Sequence, residues 1–139
     1  MVSEGNVKIQ PITSPQKWDT EVERLPDAHF LQSSTWAQFK TAYGWEEHCY
    51  RISMGLRPMA YASVLLRRLG LGSLRLLYVP RGPLLVEKDA HALSLALTAL
   101  ENIACKEHAL FIKADPEIWD TDATAWAEHT FQRRGWRPG

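Results

Sequence analysis

Residues 59–79 read MAYASVLLRRLGLGSLRLLYV and contain two runs that are rich in strand-forming residues. The runs, Met59–Leu69 and Ser73–Val79, flank Gly70-Leu71-Gly72, and this arrangement predicts an antiparallel hairpin. Each run also contains two consecutive leucines, which predicts that both faces of each strand are covered. We therefore expect the two strands to lie near the centre of a sheet that carries helices on both faces.

Helices and shorter strands surround this hairpin. Ser14, the pair Ser33-Ser34 and Asp89 are predicted to provide N-caps, because their side-chain oxygens can accept hydrogen bonds from the first turn of a helix. The predicted elements are, in chain order, a strand at Val7–Ile12, a helix from Ser14 to Leu25 stopped by Pro26, a helix from Ser33 to Gly44, a strand at Trp45–Ile52, the hairpin, a helix from Asp89 to about His108, a short buried strand at Phe111–Ala114 and a helix from about Asp122 to Arg134. This order predicts an α/β protein with a mixed sheet.

The composition is that of a single globular domain. The chain has 139 residues, of which 45% are hydrophobic and 23% charged. No apolar run approaches the ~18 residues of a membrane-spanning helix, and no basic start precedes an apolar stretch, so we expect a cytoplasmic protein. Cys49 and Cys105 form neither a disulfide framework nor a zinc-binding spacing. The histidines show no metal-binding spacing either, so we expect no metal.

Charge is unevenly distributed along the chain, although the net charge is zero. Residues 48–86 contain no carboxylate and six arginines: Arg51, Arg57, Arg67, Arg68, Arg75 and Arg81. Such a segment predicts a local positive surface if the side chains emerge on one side. The alternative is that the arginines pair with carboxylates of the flanking segments, and the sequence leaves both interpretations open.

Residues 67–72, RRLGLG, have the form R-x-x-G-x-G with which acetyltransferases of the GNAT type hold the pyrophosphate of coenzyme A. That function requires the glycines to open a helix, whose N-terminal N–H groups face the phosphates. Here the glycines precede a predicted strand, so we favour a hairpin turn. A stand-alone N-acetyltransferase is kept as an alternative function, and it requires a helix that begins near Gly72.

Two segments combine the end of a strand with a charged residue. Residues 78–83, YVPRGP, hold Arg81 in a loop that two prolines stiffen, and rigid loops often carry function. Residues 111–116, FIKADP, place Asp115 at the end of a strand, where ligands of open α/β sheets collect. The alternatives are that residues 78–83 only close the sheet and that Asp115 only forms a turn.

Taken together, the motifs resemble the Fem (FemA/FemX) family, the aminoacyltransferases of peptidoglycan interpeptide bridges, once called methicillin-resistance factors. The motifs are FLQSSTWAQFK at 30–40 followed by Gly44-Trp45, YVPRGP at 78–83, FIKADPE at 111–117 and Gly135-Trp136. The resemblance implies a GNAT-like fold, with a mostly antiparallel sheet flanked by helices. It further implies that residues 1–139 form a single domain that matches the first of the family's two domains, with the second absent.

The resemblance implies an aminoacyltransferase, or its acceptor-binding half. The reaction would transfer an amino acid from aminoacyl-tRNA to an amine of a UDP- or lipid-linked muropeptide. Aminoacyl-tRNA is then a co-substrate, and no cofactor is implied. The missing second domain motivates one further alternative, a non-catalytic interaction module that self-associates.

The family's motifs also imply roles for four residues. Lys40 matches the lysine that contacts the diphosphate of the precursor, and Trp36, which opens the same W-x-x-x-K motif, is assigned to substrate binding with it. Asp115 matches an aspartate near the reacting amine and is the implied catalytic residue, with positioning as its expected role because an ordinary carboxylate is a weak base. Arg81 of the R-G-P loop is assigned to substrate binding. We expect Lys40 and Asp115 to converge on one hollow.

Overall fold

The computed structural model describes residues 7–25, 33–70, 72–116 and 125–138. Within these ranges the elements are β1 (Val7–Pro11), α1 (Pro15–Glu23), α2 (Ser34–Thr41), β2 (Glu46–Met54), β3 (Arg57–Arg68), β4 (Arg75–Val79), β5 (Leu84–Leu85), α3 (Ala90–Lys106), β6 (Ala109–Ala114) and α4 (Ala125–Arg133). The order agrees with the prediction except for β5, which was not predicted. Pro26, residues 30–32 and Asp122, on which parts of the predictions rest, lie outside the described residues.

A single mixed sheet contains all of these strands. Its order is β1-β2-β3-β4-β6, and β5 pairs with β3 farther along the same edge as β4. The neighbours are antiparallel except for β4 and β6, which are parallel. The predicted hairpin is confirmed, because β3 and β4 pair from Leu65 opposite Tyr78 to Arg68 opposite Arg75.

The turn of the hairpin decides the interpretation of the RRLGLG motif. Gly70 and Gly72 have φ angles of +61° and +137°, which glycine adopts at little cost. The described segment 72–79 continues into β4 rather than into a helix. The favoured interpretation of these glycines as a hairpin turn is therefore confirmed, and the alternative, which required a helix that begins near Gly72, is excluded.

One face of the sheet, which we call the α3 face, is covered by α3 and α4. Helix α3 begins as predicted at Asp89, whose side chain accepts a hydrogen bond of 2.7 Å from the N–H of Ala92. Its apolar side chains pack with those of β2, β3 and β4 in a core whose largest fully buried members are Ile52, Val64, Leu66, Leu77, Val79, Leu93, Leu97 and Leu100. This core is the larger of the two in the domain.

The opposite face, which we call the α1 face, is covered by α1 and α2. Ser14 caps α1 as predicted and accepts a hydrogen bond of 3.2 Å from the N–H of Lys17. Trp18 and Val22 of α1 pack on a smaller buried cluster that includes Cys49 and Tyr61. Helices on both faces, as the sequence predicted, make this an α/β fold with a mostly antiparallel sheet.

Strand β6 departs from the prediction of a short buried strand. It lies at the edge of the sheet, and Leu110 and Phe111 are 57% and 61% exposed. The sequence ALFIKA is apolar enough for a central strand, but composition does not report how many neighbours a strand has. The prediction was therefore right about the strand and wrong about its burial.

Among the described residues, three of the six arginines form ion pairs with carboxylates, in line with the pairing alternative. The ion pairs join Arg51 to Glu21, Arg57 to Glu87, and Arg75 to both Glu46 and Glu107. Each of these carboxylates belongs to a segment that flanks residues 48–86, as the pairing alternative required. Arg67 behaves differently, because its guanidinium lies over an aromatic ring on the α1 face.

Candidate functional site

Helix α2 groups aromatic side chains and one lysine on a single face. Trp36 precedes Phe39 and Lys40 by three and four residues. Phe39 and Lys40 precede Tyr43 by four and three, so all of them lie along one side of the helix and its C-terminal end. The ring centroids of Trp36 and Phe39 are 5.4 Å apart, and those of Phe39 and Tyr43 are 5.0 Å apart. Phe39 and Tyr43 are exposed, whereas Trp36 and Lys40 are half-buried.

The start of α2 is fixed by two polar side chains. Ser33 caps the helix as predicted and accepts a hydrogen bond of 3.2 Å from the N–H of Trp36. The Asp19 carboxylate of α1 accepts hydrogen bonds from the backbone N–H of Ser34, at 2.9 Å, and from its hydroxyl. These bonds tie α2 to α1 and so fix the direction in which Lys40 leaves the helix.

The Lys40 ammonium lies against two indole rings. Its Nζ atom is 5.1 Å from the ring centroid of Trp36 and 6.0 Å from that of Trp45. The faces of aromatic rings carry partial negative charge and attract a cation at such distances. The two indole rings therefore hold the ammonium in place, and no carboxylate of the described residues forms an ion pair with it.

Trp45 continues this surface toward the sheet. Its ring centroid is 6.2 Å from that of Tyr78, and the Arg67 guanidinium lies 5.6 Å from the Trp45 centroid. The Lys113 ammonium lies 5.8 Å from the Tyr78 centroid. Tyr78 and Lys113 are register partners in the parallel β4–β6 pair, so their side chains emerge on the same face. We call the following residues the cation–aromatic patch: Trp36, Lys40, Trp45, Arg67, Tyr78 and Lys113.

Asp115, just beyond the end of β6, holds the YVPRGP loop. Its Oδ1 accepts a hydrogen bond of 2.6 Å from the backbone N–H of Arg81, and its Oδ2 accepts one of 3.4 Å from the Tyr78 hydroxyl. Arg81 has a φ of +52°, which is uncommon for a residue with a side chain. Burial raises the pKa of Tyr78 above its usual value, and the Asp115 carboxylate adds to this, so the hydroxyl remains a donor at neutral pH.

The four residues assigned from the sequence lie on one side of the sheet. Lys40, with Trp36 beside it on α2, connects through the rings of Trp45 and Tyr78 to Asp115. Asp115 in turn binds the backbone of Arg81. The structure thus brings α2 and the strand end together, while the role of each residue there stays a prediction.

Sequence reasoning missed Trp45, Arg67, Tyr78 and Lys113 as members of this site. All of them lie in motifs quoted above. Tyr78 and Lys113 each lie between two apolar residues of a predicted strand, and this alternation indicates that their side chains point away from the apolar face. Their meeting depends on the pairing of β4 with β6 and on the packing of α2. No local pattern specifies either contact.

Other chemistries find little support in the described residues. Burial raises the pKa of the Cys49 thiol, and the neighbouring Glu47 carboxylate raises it further, so this buried thiol is not a ready nucleophile. Across the described ranges, His, Cys, Asp and Glu nowhere form a group of three that could ligate a metal. None of the helices described here combines the length and the apolar character needed to cross a membrane.

Comparison with solved structures defines the fold class. A probable acetyltransferase superposes with a TM-score of 0.58 at 13% identity, covering 95% of this chain and 91% of that one. The aminoglycoside N-acetyltransferase AAC(6')-Iy gives a TM-score of 0.56 at 10% identity, covering 95% and 88%. At these identities the similarity concerns the fold alone, which is that of the GNAT acyltransferases.

Sequence comparison then identifies the family. The FemAB family profile matches residues 13–134, and the chain belongs to this family. The lipid II:glycine glycyltransferase of Staphylococcus aureus is 30% identical over 105 residues, which are 74% of this chain and 24% of that protein. The crystal structure of FemX superposes with a TM-score of 0.78 at 25% identity and covers 92% of this chain and 31% of that one. The chain thus spans about a quarter of the length of the curated relatives it matches.

Proposed function

We propose that this chain forms the acceptor-binding part of an aminoacyltransferase of peptidoglycan bridge synthesis. The donor in this proposal is aminoacyl-tRNA, and the acceptor is an amine of a UDP- or lipid-linked muropeptide. Two findings support it: the similarity to lipid II:glycine glycyltransferases, and the position of the motif residues in one contact network on the α1 face. The second finding carries the proposal, because unrelated surface residues need not form one network.

Lys40 is the residue to which we assign the diphosphate of the acceptor. Its ammonium is half-buried and is oriented by the rings of Trp36 and Trp45. A lysine held in this way offers a point charge to phosphate oxygens. A charge-assisted hydrogen bond of this kind is worth about 1.5–3 kcal/mol, or about 10- to 150-fold in affinity. Trp36 contributes to binding by orienting the ammonium.

The transfer itself is the aminolysis of an ester. The amine nitrogen forms a bond to the ester carbonyl carbon, the bond from that carbon to the ribose oxygen breaks, and the ribose oxygen takes up the proton that the amine loses. A side-chain amine has a pKa of about 10.4, so roughly one molecule in 2,500 is neutral at pH 7. The site must therefore orient the amine and favour loss of its proton.

Asp115 acts in this proposal as a positioning residue. Its Oδ1 accepts a short hydrogen bond from the backbone of Arg81, whereas within the described part of the chain Oδ2 has a single longer contact, at 3.4 Å, with Tyr78. We assign Oδ2 to the ammonium of the arriving acceptor. The loop that contains Arg81 then lies beside the bound ammonium, because the same carboxylate holds the loop in place.

Calorimetric titration with a UDP-linked muropeptide tests the proposal. The wild-type chain should bind, and Lys40→Ala should weaken binding by about 10- to 150-fold. The matched control is Lys8→Ala, which removes an exposed lysine from β1 at the opposite edge of the sheet. No binding at millimolar concentration, or equal affinities of Lys40→Ala and the wild type, would overturn the proposal.

A non-catalytic interaction module is the second candidate, and exposed aromatic side chains favour it. Phe39, Tyr43 and Phe111 are 51%, 63% and 61% exposed, and exposed apolar side chains are common at contact surfaces. This function predicts self-association in analytical ultracentrifugation that Phe111→Ser weakens. A monodisperse monomer at high concentration would exclude self-association.

A further inference from the structure

We infer that Arg67 and Lys113 bind the diphosphate of the acceptor together with Lys40, so that one domain supplies three cations to this ligand. The inference rests on the proposed function and adds two binding residues to it. The evidence is the arrangement of these cations around two aromatic rings on the α1 face.

The Trp45 ring lies beside two of the three cations. The Lys40 ammonium is 6.0 Å from its centroid, and the Arg67 guanidinium is 5.6 Å from it. Lys40 comes from α2 and Arg67 from the end of β3, so the ring brings together charges that are distant in the sequence. Both cations therefore lie within 6.0 Å of one ring centroid.

Tyr78 connects the third cation to this pair. Its ring lies 6.2 Å from that of Trp45 and 5.8 Å from the Lys113 ammonium. The Lys113 side chain emerges beside Tyr78 because the two residues are register partners in β4 and β6. The three cations are therefore connected through the rings of Trp45 and Tyr78.

Within the ranges that the structure describes, these three cations differ from the ion-paired arginines of the same segment. Among the described residues, no ion pair joins a carboxylate to Lys40, Arg67 or Lys113. Asp115 touches the patch through Tyr78, but its oxygens accept hydrogen bonds from the Arg81 backbone and the Tyr78 hydroxyl. The patch therefore keeps an excess of positive charge.

A diphosphate is the anion that such a surface fits. Three like charges repel one another, and contacts with ring faces offset only part of this repulsion. A group with several negative charges within a few bond lengths relieves it more than a single carboxylate does. Arg67 adds a planar fork that matches phosphate oxygens, and the lysines add mobile point charges.

The diphosphate could come from a nucleotide-linked or a lipid-linked precursor. Both carry a diphosphate bonded to a sugar, and the three cations would recognise this shared group. The titration therefore uses three probes: inorganic pyrophosphate, a UDP-linked muropeptide and a muropeptide on a short prenyl diphosphate.

The experiment compares Arg67→Ala and Lys113→Ala with Arg68→Ala. Arg68 is the matched control, because it is also exposed but lies next in sequence and points to the opposite face of β3. Each of the first two variants should weaken pyrophosphate binding about 3- to 10-fold, between the values of an exposed ion pair and a buried charge-assisted bond. Wild-type binding should also weaken with added salt, and less steeply in the two variants.

The outcomes separate this inference from the proposed function. If the muropeptides bind and only Lys40→Ala weakens them, while Arg67→Ala and Lys113→Ala match Arg68→Ala, the inference is wrong and the proposed function stands. If pyrophosphate binding depends on all three cations but neither muropeptide binds more tightly than pyrophosphate, the cation site stands and the proposed function fails. If Arg67→Ala and Lys113→Ala lose affinity equally for both muropeptides, the cations recognise the shared diphosphate. If they lose affinity for only one muropeptide, that precursor is the one the site recognises.

Discussion

The two faces of the sheet differ in how completely helices cover them. On the α3 face, a helix of 17 residues seals the strands, and side chains such as Leu77 and Leu97 are fully buried. On the α1 face, toward β4 and β6, cations and aromatic rings reach the surface instead. The change occurs within one residue, because Leu77 belongs to the α3 core and Tyr78 to the cation–aromatic patch. Alternate side chains of one strand thus belong to the buried core and to the cation–aromatic patch.

The α3 face should show the largest loss of stability. Leu97→Ala removes a fully buried side chain from α3 and should lower the free energy of unfolding by about 2–5 kcal/mol, because it leaves a cavity. Urea unfolding measures this loss. Leu110→Ala, on the exposed edge strand, is the control and should change stability by no more than about 0.5 kcal/mol. Equal effects of the two variants would contradict the sealed core.

Asp19, on the α1 face, should affect both the stability of the domain and its affinity for the muropeptide. Asp19→Ala removes both hydrogen bonds that tie Ser34 to α1, which should cost about 1–3 kcal/mol of unfolding free energy. Muropeptide affinity should fall as well, because the orientation of Lys40 depends on α2. Unfolding curves and calorimetry below the unfolding temperature measure the two effects. Glu23→Ala, which removes an exposed carboxylate of the same helix, should change neither.

Tyr61, under α1, should show the smallest effect, and mainly at high pH. Burial and the hydrogen bond to Glu21 raise its pKa from 10 to about 12. The tyrosine ionises first in the unfolded chain, so its contribution is complete below pH 10 and is lost as the pH rises to about 12. The stability difference between the wild type and Tyr61→Phe, measured by urea unfolding, should shrink over this interval. A constant difference would contradict the raised pKa.

Several parts of the molecule followed from local sequence. The glycines at 70 and 72 predicted the hairpin, and Ser14, Ser33 and Asp89 predicted three helix starts, because turns and caps depend on neighbouring residues. The two-residue strand β5 is too short to give a periodic pattern, so it was missed.

The site residues that were not predicted from the sequence were missed for a different reason. Arg67, Trp45, Tyr78 and Lys113 meet through packing between segments far apart in the chain, which periodicity does not encode. The family resemblance supplied Lys40 and Asp115, but it did not supply the rings and cations between them. The exposure of β6 was missed for the same reason, since an edge is a property of the whole sheet.

The bond that secures the YVPRGP loop ends on the main-chain N–H at position 81 and not on the guanidinium. This hydrogen bond does not depend on which side chain stands at position 81, so a substitution there can retain it. Glycine and asparagine suit its backbone conformation best. Proline alone among the replacements would cut the anchor, since it has no hydrogen to donate.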